Sequence, residues 1–170
     1  GYIVEVGAKW QDQFKPGDKF VIQPALNYKG SLFSPGYSYP HIGGDATYVI
    51  IPEEVMLCGC LLPYDGDAFF YGSLTEPMSC IVGGFHANYH GKPGVYEHKM
   101  GCKPRGNMAI LAGAGPMGLG CADYAIHGGN PPRLLVITDI DEARLARAAE
   151  LTTVEDAAAH GVKLVYMNTN

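Results

Sequence analysis

The stretch Met108–Gly129, MAILAGAGPMGLGCADYAIHGG, sets Gly113, Gly115 and Gly118 between an apolar run and a run of helical spacing. Glycine is entropically costly to order, so three of them at this spacing need a reason. A G-x-G-x-x-G alone is weak evidence, because glycine-rich turns are common, and its context carries the weight. Gly113 ends a strand-like run, Gly115 follows two positions on, and Gly118 falls in the first turn of a helix expected over Met117–His127. In that geometry Gly113 permits a tight turn, Gly115 lets backbone approach a pyrophosphate, and Gly118 lets helix and sheet pack closely. Pro116 and Met117 open the helix, whose unpaired amides and positive dipole end stabilise negative charge without Lys or Arg.

A second check is independent of the glycines. Asp139 closes the strand-like run RLLVITD 21 positions after Gly118, near the separation of about 20 expected for a ribose-binding acid. Its carboxylate could accept from both ribose hydroxyls and would repel a 2′-phosphate, which favours NAD over NADP. Arg144, five residues on, leaves NADP open, since a guanidinium either covers an adenine or pairs with a 2′-phosphate. The bland reading is an ordinary strand-to-helix turn with Asp139 capping the next helix. Turn, strand, spacing and acid together favour the cofactor.

Working outward, the chain alternates by type from Asn107: strand NMAILAG, helix Met117–His127, strand RLLVITD, helix Asp141–Leu151, a short helix near Val154–His160, strand KLVYMN. That alternation predicts parallel strands with helices on the sheet faces, here three strands of a doubly wound sheet of about six. Residues 1–57 read as β, with strands YIVEVG, KFVIQP and ATYVIIP of a barrel or meander and a long loop over Asn27–Gly44. From Ser73 the run SLTEPMSCIVGGFHANY predicts a helix, and residues 91–106 a connection. The domains are therefore set at 1–72, 73–106 and 107–170. Strand-like runs at both ends predict a piece of a longer polypeptide.

Composition excludes some partners. The formal net charge is −5 and the 12 Lys and Arg residues are scattered, which is no footprint for nucleic acid or an anionic membrane. Apolar runs such as YVIIP and LLVI fall far short of the roughly 20 residues that cross a bilayer. A soluble, cytoplasmic protein is expected. Five irregularly placed Cys make no disulfide framework, and the Cys58–Cys60 pair lacks the second pair that tetrahedral zinc wants, so buried thiols are expected. His86 and His90 stand four apart without an intervening Glu; His86 is read as packing or capping and His90 as solvated. Tyr28, Tyr37, Tyr39 and His41 in the long loop serve equally as substrate or oligomer contacts. Asp141, Glu142, Arg144 and Arg147 read as a solvated helix face.

The β-rich first part, GAGPMG and TDIDEAR together resemble the medium-chain zinc-dependent alcohol and polyol dehydrogenases, in their sorbitol dehydrogenase branch. IVEVGAKWQDQFKPGDKF, GGDATYVIIP and LTEPMSC resemble further family motifs, so the likeness covers nearly the whole chain. The long insert and the tail LTTVEDAAAHGVKLVYMNTN resemble the sugar-phosphate reductases of that branch. The resemblance implies an α/β chain: part of a GroES-like β-barrel catalytic domain, then the first half of a Rossmann doubly wound parallel sheet. It implies a catalytic zinc that polarises an alcohol or carbonyl oxygen while hydride passes to or from NAD. The substrate would be a small polyol, sugar or sugar phosphate, and the protein a homo-oligomer, dimer or tetramer.

The Cys and the Gly-His-Glu motif that usually hold the family's zinc are not in this sequence. Glu76 matches the Glu of the Glu-Pro motif and is the metal candidate; read without the resemblance, Ser73 and Glu76 make a capping box. No Cys lies in Asn27–Gly44, so no structural zinc is expected. Thr47 stands where the family often has Glu. Two alternatives stay open: a zinc-free reductase of the quinone reductase type, and a dinucleotide-binding protein without chemistry.

Overall fold

The computed structural model describes residues 1–170, which divide into Gly1–Glu76 and Pro77–Asn170. Regular structure in the first unit is sparse: 3-10 turns at Ala8–Trp10 and Tyr28–Gly30, β1 (Phe20–Ile22), α1 (Glu53–Leu57), β2 (Leu61–Pro63) and α2 (Phe69–Ser73). β1 and β2 pair antiparallel, with Phe20 opposite Pro63 and Ile22 opposite Leu61. Val55 of α1 is fully buried and packs with Leu26, Cys60 and Leu61. Burial pushes the Cys60 thiol above its usual value, and neighbouring Cys58 adds to this. Cys60 is thus the buried thiol expected, whereas Cys58 is only half-buried, and both are free.

Three strands were expected here and one forms over its predicted run. YIVEVG contributes a single bridge, Tyr2 to Lys19, and ATYVIIP makes no ladder: Ile50 N–H donates to the His41 carbonyl at 2.8 Å, and the Pro52 carbonyl accepts from Val55 N–H at the start of α1. Both runs have strand composition, but a ladder needs a neighbour to complete its hydrogen bonds. Here they line a cleft of about 800 Å³. Helix α1 was missed, although Pro52 before two glutamates is a legible helix start: Pro52 is extended at the cap, and Glu53 and Glu54 complement the dipole. The long loop Asn27–Gly44 is as expected, broken only by the turn at Tyr28–Gly30.

Helix α3 (Thr75–Ala87) leads into the second unit. It begins later than the capping-box reading requires. Ser73 is instead the last residue of α2, and its hydroxyl donates to the Phe70 carbonyl at 2.6 Å. The expected plain connection over 91–106 holds a short hairpin, β3 (Tyr89–His90) against β4 (Lys99–Met100), because two-residue strands leave no periodicity to read. His90 is consequently half-buried, with Nδ1 3.0 Å from the Gly101 carbonyl, and is not solvated. His86 is exposed in the last turn of α3 rather than packed.

The remainder follows the predicted alternation closely: β5 (Asn107–Ile110), α4 (Pro116–His127), β6 (Leu134–Asp139), α5 (Glu142–Leu151), α6 (Val154–Ala159) and β7 (Lys163–Asn168). The strands form one parallel sheet in the order β5-β6-β7, with Ile110 opposite Ile137 and Asp139 opposite Asn168. Parallel neighbours cannot be joined by a tight turn; α4 makes one crossover, and α5 with α6 the other. Leu135 and Ile137, two apart on β6 and so on one face, are fully buried against Ala122, Ala125 and Ile126 of α4 and Ala157 of α6. Leu145 and Ala148 of α5 bury with Ala114. The charged residues Asp141, Glu142, Arg144 and Arg147 are exposed, as expected. No helix is long and apolar enough to cross a membrane.

Candidate functional site

The β5–α4 turn runs from Leu111 to Gly115 and sits over the end of β6. Gly113 N–H donates to the Thr138 carbonyl at 2.7 Å, and Ala114 N–H donates to Asp139 Oδ2 at 3.1 Å. These two bonds tie the glycine-rich turn to the end of the neighbouring strand. They set Asp139 beside the turn that holds Gly113 and Gly115 and leads into Pro116, Met117 and Gly118 of α4.

The three glycines are required for different reasons. A Cβ on Gly118 would overlap the Gly113 carbonyl, so helix and turn meet backbone to backbone there. A Cβ on Gly113 would lie 2.6 Å from Ile110 Cγ2 and 3.1 Å from Ile137 Cγ2. Its role is therefore steric, and the left-handed residue of the turn is Ala112, at φ 52°. Gly115 differs from both: its backbone is extended and nothing lies within 4 Å of where its Cβ would be. The chain's own packing does not need a glycine at this position; a ligand approaching the backbone would.

Gly115 is also the N-cap of α4, and no side chain caps the helix. The first intrahelical bond found is Leu119 N–H to the Gly115 carbonyl, 2.9 Å, so the Met117 and Gly118 amides have no partner within the helix. Pro116 at the first position lacks an N–H and presets the helical φ. Met117 is exposed beside them. A 12-residue helix with open amides and the positive end of its dipole outward is suited to an anion.

Asp139 is buried, 7% exposed, at the end of β6. Its Oδ1 accepts from Ile140 N–H at 2.9 Å and Asp141 N–H at 3.2 Å, and Oδ2 from Ala114. The Asp141 amide does most to hold the carboxyl below its usual range; burial opposes this, and the Ala114 and Ile140 amides and the Arg144 charge add to it. A carboxylate offers about four lone-pair directions, and three amides take three. One remains for a hydroxyl. A grip on both ribose hydroxyls requires one of the three amides to yield, a constraint invisible in the sequence.

Arg144 lies on α5, exposed, with Nε 3.7 Å from Asp141 Oδ2; Asp141 also caps α5 by accepting from Arg144 N–H at 3.1 Å. The guanidinium is thus drawn to the α5 cap. Glu76 stands exposed in the first turn of α3 and belongs to no cluster of three ligating side chains. Such a cluster does occur elsewhere, at His127, Asp156 and His160. Its signal was present in the sequence as D-x-x-x-H twice, DYAIH at 123–127 and DAAAH at 156–160, since residues four apart share a helix face.

No protein-family model matches the chain. It is 56% identical over 169 residues to mannitol-1-phosphate 5-dehydrogenase of Aliivibrio fischeri, covering 99% of this chain and 40% of that protein. It is 52% identical over 148 residues to L-sorbose 1-phosphate reductase of Klebsiella pneumoniae, covering 87% and 36% respectively. Among solved structures, (2R,3R)-butanediol dehydrogenase of Bacillus subtilis superposes with a TM-score of 0.65 at 19% identity, over 99% of this chain and 42% of that one. That likeness establishes the fold; the chain spans about two fifths of the length of each of these relatives. The chain is thus similar to part of several polyol and sugar-phosphate oxidoreductases, and it shares the fold of part of a butanediol dehydrogenase.

Proposed function

We propose that this chain carries the dinucleotide-holding part of an NAD-linked oxidoreductase that moves hydride between the cofactor and a polyol, sugar or sugar phosphate. The observation that carries the reading is Gly115: a glycine facing open space at the uncapped start of α4. The residues fit the group. The Met117 and Gly118 amides would receive the diphosphate, Gly115 would let it approach, and the last lone pair of Asp139 would take a ribose hydroxyl while its charge disfavours a 2′-phosphate. The bound nicotinamide supplies the hydride acceptor or donor. Everything this chain does toward that chemistry is binding and orientation.

In this reading residues 107–170 are the first half of a Rossmann domain, 1–72 part of a GroES-like catalytic domain, and 73–106 the link. The substrate class follows from the relatives that act on mannitol 1-phosphate and sorbose 1-phosphate, and the protein works in the cytoplasm as a dimer or tetramer. Zinc enters only through the resemblance at Glu76. Glu76 would be one of the four ligands a zinc site takes, the others being residues that are not in this sequence, so this chain alone does not hold the metal. No step is assigned to a metal here.

Calorimetry of the intact protein with NAD and NADP tests the cofactor, and NADH absorbance with mannitol 1-phosphate, sorbose 1-phosphate and free polyols tests the reaction. Tighter binding of NAD and turnover of at least one polyol or its phosphate are expected. Absence of binding by either dinucleotide overturns the proposal.

A further inference from the structure

The end of α4 remote from the glycine-rich turn carries a second cluster. His127, the last residue of α4, has its ring between two carboxylates. Nδ1 lies 3.0 Å from Asp123 Oδ1 and 3.1 Å from the Asp123 carbonyl, and Nε2 lies 3.0 Å from Asp156 Oδ2 on α6. His160, the cap of α6, places its ring edge-on to that of His127 with centroids 4.6 Å apart. Its Nδ1 is 3.0 Å from the Asp156 carbonyl and 3.8 Å from Asp156 Oδ1.

Donor and acceptor accounting makes this arrangement informative. Both Asp123 oxygens facing Nδ1 are acceptors, so Nδ1 carries the ring proton of a neutral His127. Nε2 then has only a lone pair, directed at a carboxylate oxygen that is itself only an acceptor. Two acceptors 3.0 Å apart need a positive centre between them: a second proton or a metal ion. A proton serves two atoms, whereas a metal ion also uses the third group present, the His160 ring. Ligand bonds of about 2.0–2.2 Å meeting at angles between square and tetrahedral set neighbouring ligand atoms roughly 3.0–3.4 Å apart. The Nε2 to Oδ2 distance is already in that range. All three ligand atoms lie within 4.8 Å of one another, and because His160 is exposed, a turn of its ring would exchange the contact with the Asp156 carbonyl for one with the metal. Asp123 supplies the carboxylate behind a ligating histidine that fixes tautomer and ring orientation.

We propose that His127 Nε2, the Asp156 carboxylate and a His160 ring nitrogen form a binding site for a divalent cation of the zinc class, clamping the end of α4 to the end of α6. Two imidazoles with one carboxylate suit zinc, nickel or copper rather than calcium or magnesium, whose ligands are oxygens. Water would complete the coordination. Three exposed ligands make an exchangeable staple rather than a permanent one.

The test is calorimetric titration of the chelator-stripped intact protein with Zn²⁺, comparing the wild type with His160→Ala, Asp156→Asn and Asp123→Asn. Beyond any Zn²⁺ held elsewhere in the intact protein, the expected result is one saturable equivalent that disappears, or weakens at least tenfold, in His160→Ala and Asp156→Asn. In Asp123→Asn, which removes no ligand, it weakens by about 10- to 100-fold. The ring nitrogens of His127 and His160 should shift together in nitrogen NMR as Zn²⁺ is added. His160→Ala removes a side chain from a helix end, so circular dichroism should show its fold unchanged. Titrations indistinguishable between wild type, His160→Ala and Asp156→Asn would overturn the site, as would His127 and His160 resonances indifferent to Zn²⁺. The latter result would mean that a proton alone bridges His127 and Asp156.

Discussion

Two strand-to-helix turns lie side by side at one edge of the parallel sheet, and they end differently. The β6–α5 turn completes itself: Asp141 caps α5, and Asp139 gathers the amides of Ile140 and Asp141. The β5–α4 turn leaves its helix uncapped and places Gly115 against open space. The same local problem, unpaired amides at a helix start, is solved from within in one case and left open in the other. The lesson is that a binding site shows itself less by its glycines than by the satisfaction its neighbour has and it lacks.

The comparison breaks most severely at Gly118. Gly118→Ala forces a methyl group into the Gly113 backbone and is expected to cost about 3 kcal/mol, the upper end for overpacking, read from the urea midpoint. A midpoint within error of wild type would mean that the turn and helix do not meet as described.

Asp139 links the two turns, so Asp139→Asn should weaken NAD affinity tenfold or more and narrow the preference over NADP. It should also alter acid unfolding. The folded-state value of Asp139 is depressed, so its contribution is fully present above the ordinary aspartate value of about 3.9 and is lost as pH falls through the folded-state value. The asparagine variant should lack that limb of the curve. Superimposable acid titrations would remove the three-amide account.

A smaller change is expected on the self-satisfied side. Asp141→Ala takes away the α5 cap at a cost of about 1 kcal/mol and should leave the dinucleotide affinity within twofold. Gly115→Ala is the mirror image: stability should move by no more than about 0.5 kcal/mol, while dinucleotide affinity drops by an order of magnitude. If Gly115→Ala were instead unfolded and Asp141→Ala unable to bind, the roles assigned to the two turns would be reversed.

Legibility in the sequence followed burial. β6 is a six-residue strand, apolar but for Thr138 and Asp139 and nowhere exposed, and α4, α5 and β7 lie within a residue or two of their expected bounds because the alternation of apolar runs and turn residues marks each. In the first unit the signals conflicted. ATYVIIP has the composition of a strand but no strand beside it, and the five-residue α1 is too short for a period to emerge. Within the site, the glycines and Asp139 could be found by spacing. The left-handed backbone at Ala112 and the bond from Ala114 to Asp139 could not, since both arise only when β5 and β6 lie in register. The paired D-x-x-x-H segments were legible one helix at a time. That they face each other follows from the docking of α4 and α6 on the same core.

The unequal reasons for the three glycines also bear on how such a turn can change over generations. Gly113 and Gly118 answer to the architecture, and Gly115 only to what visits it. A descendant that gave up its visitor would be released at Gly115 alone, so a chain with this fold and a bulky residue there would bear the mark of an abandoned trade.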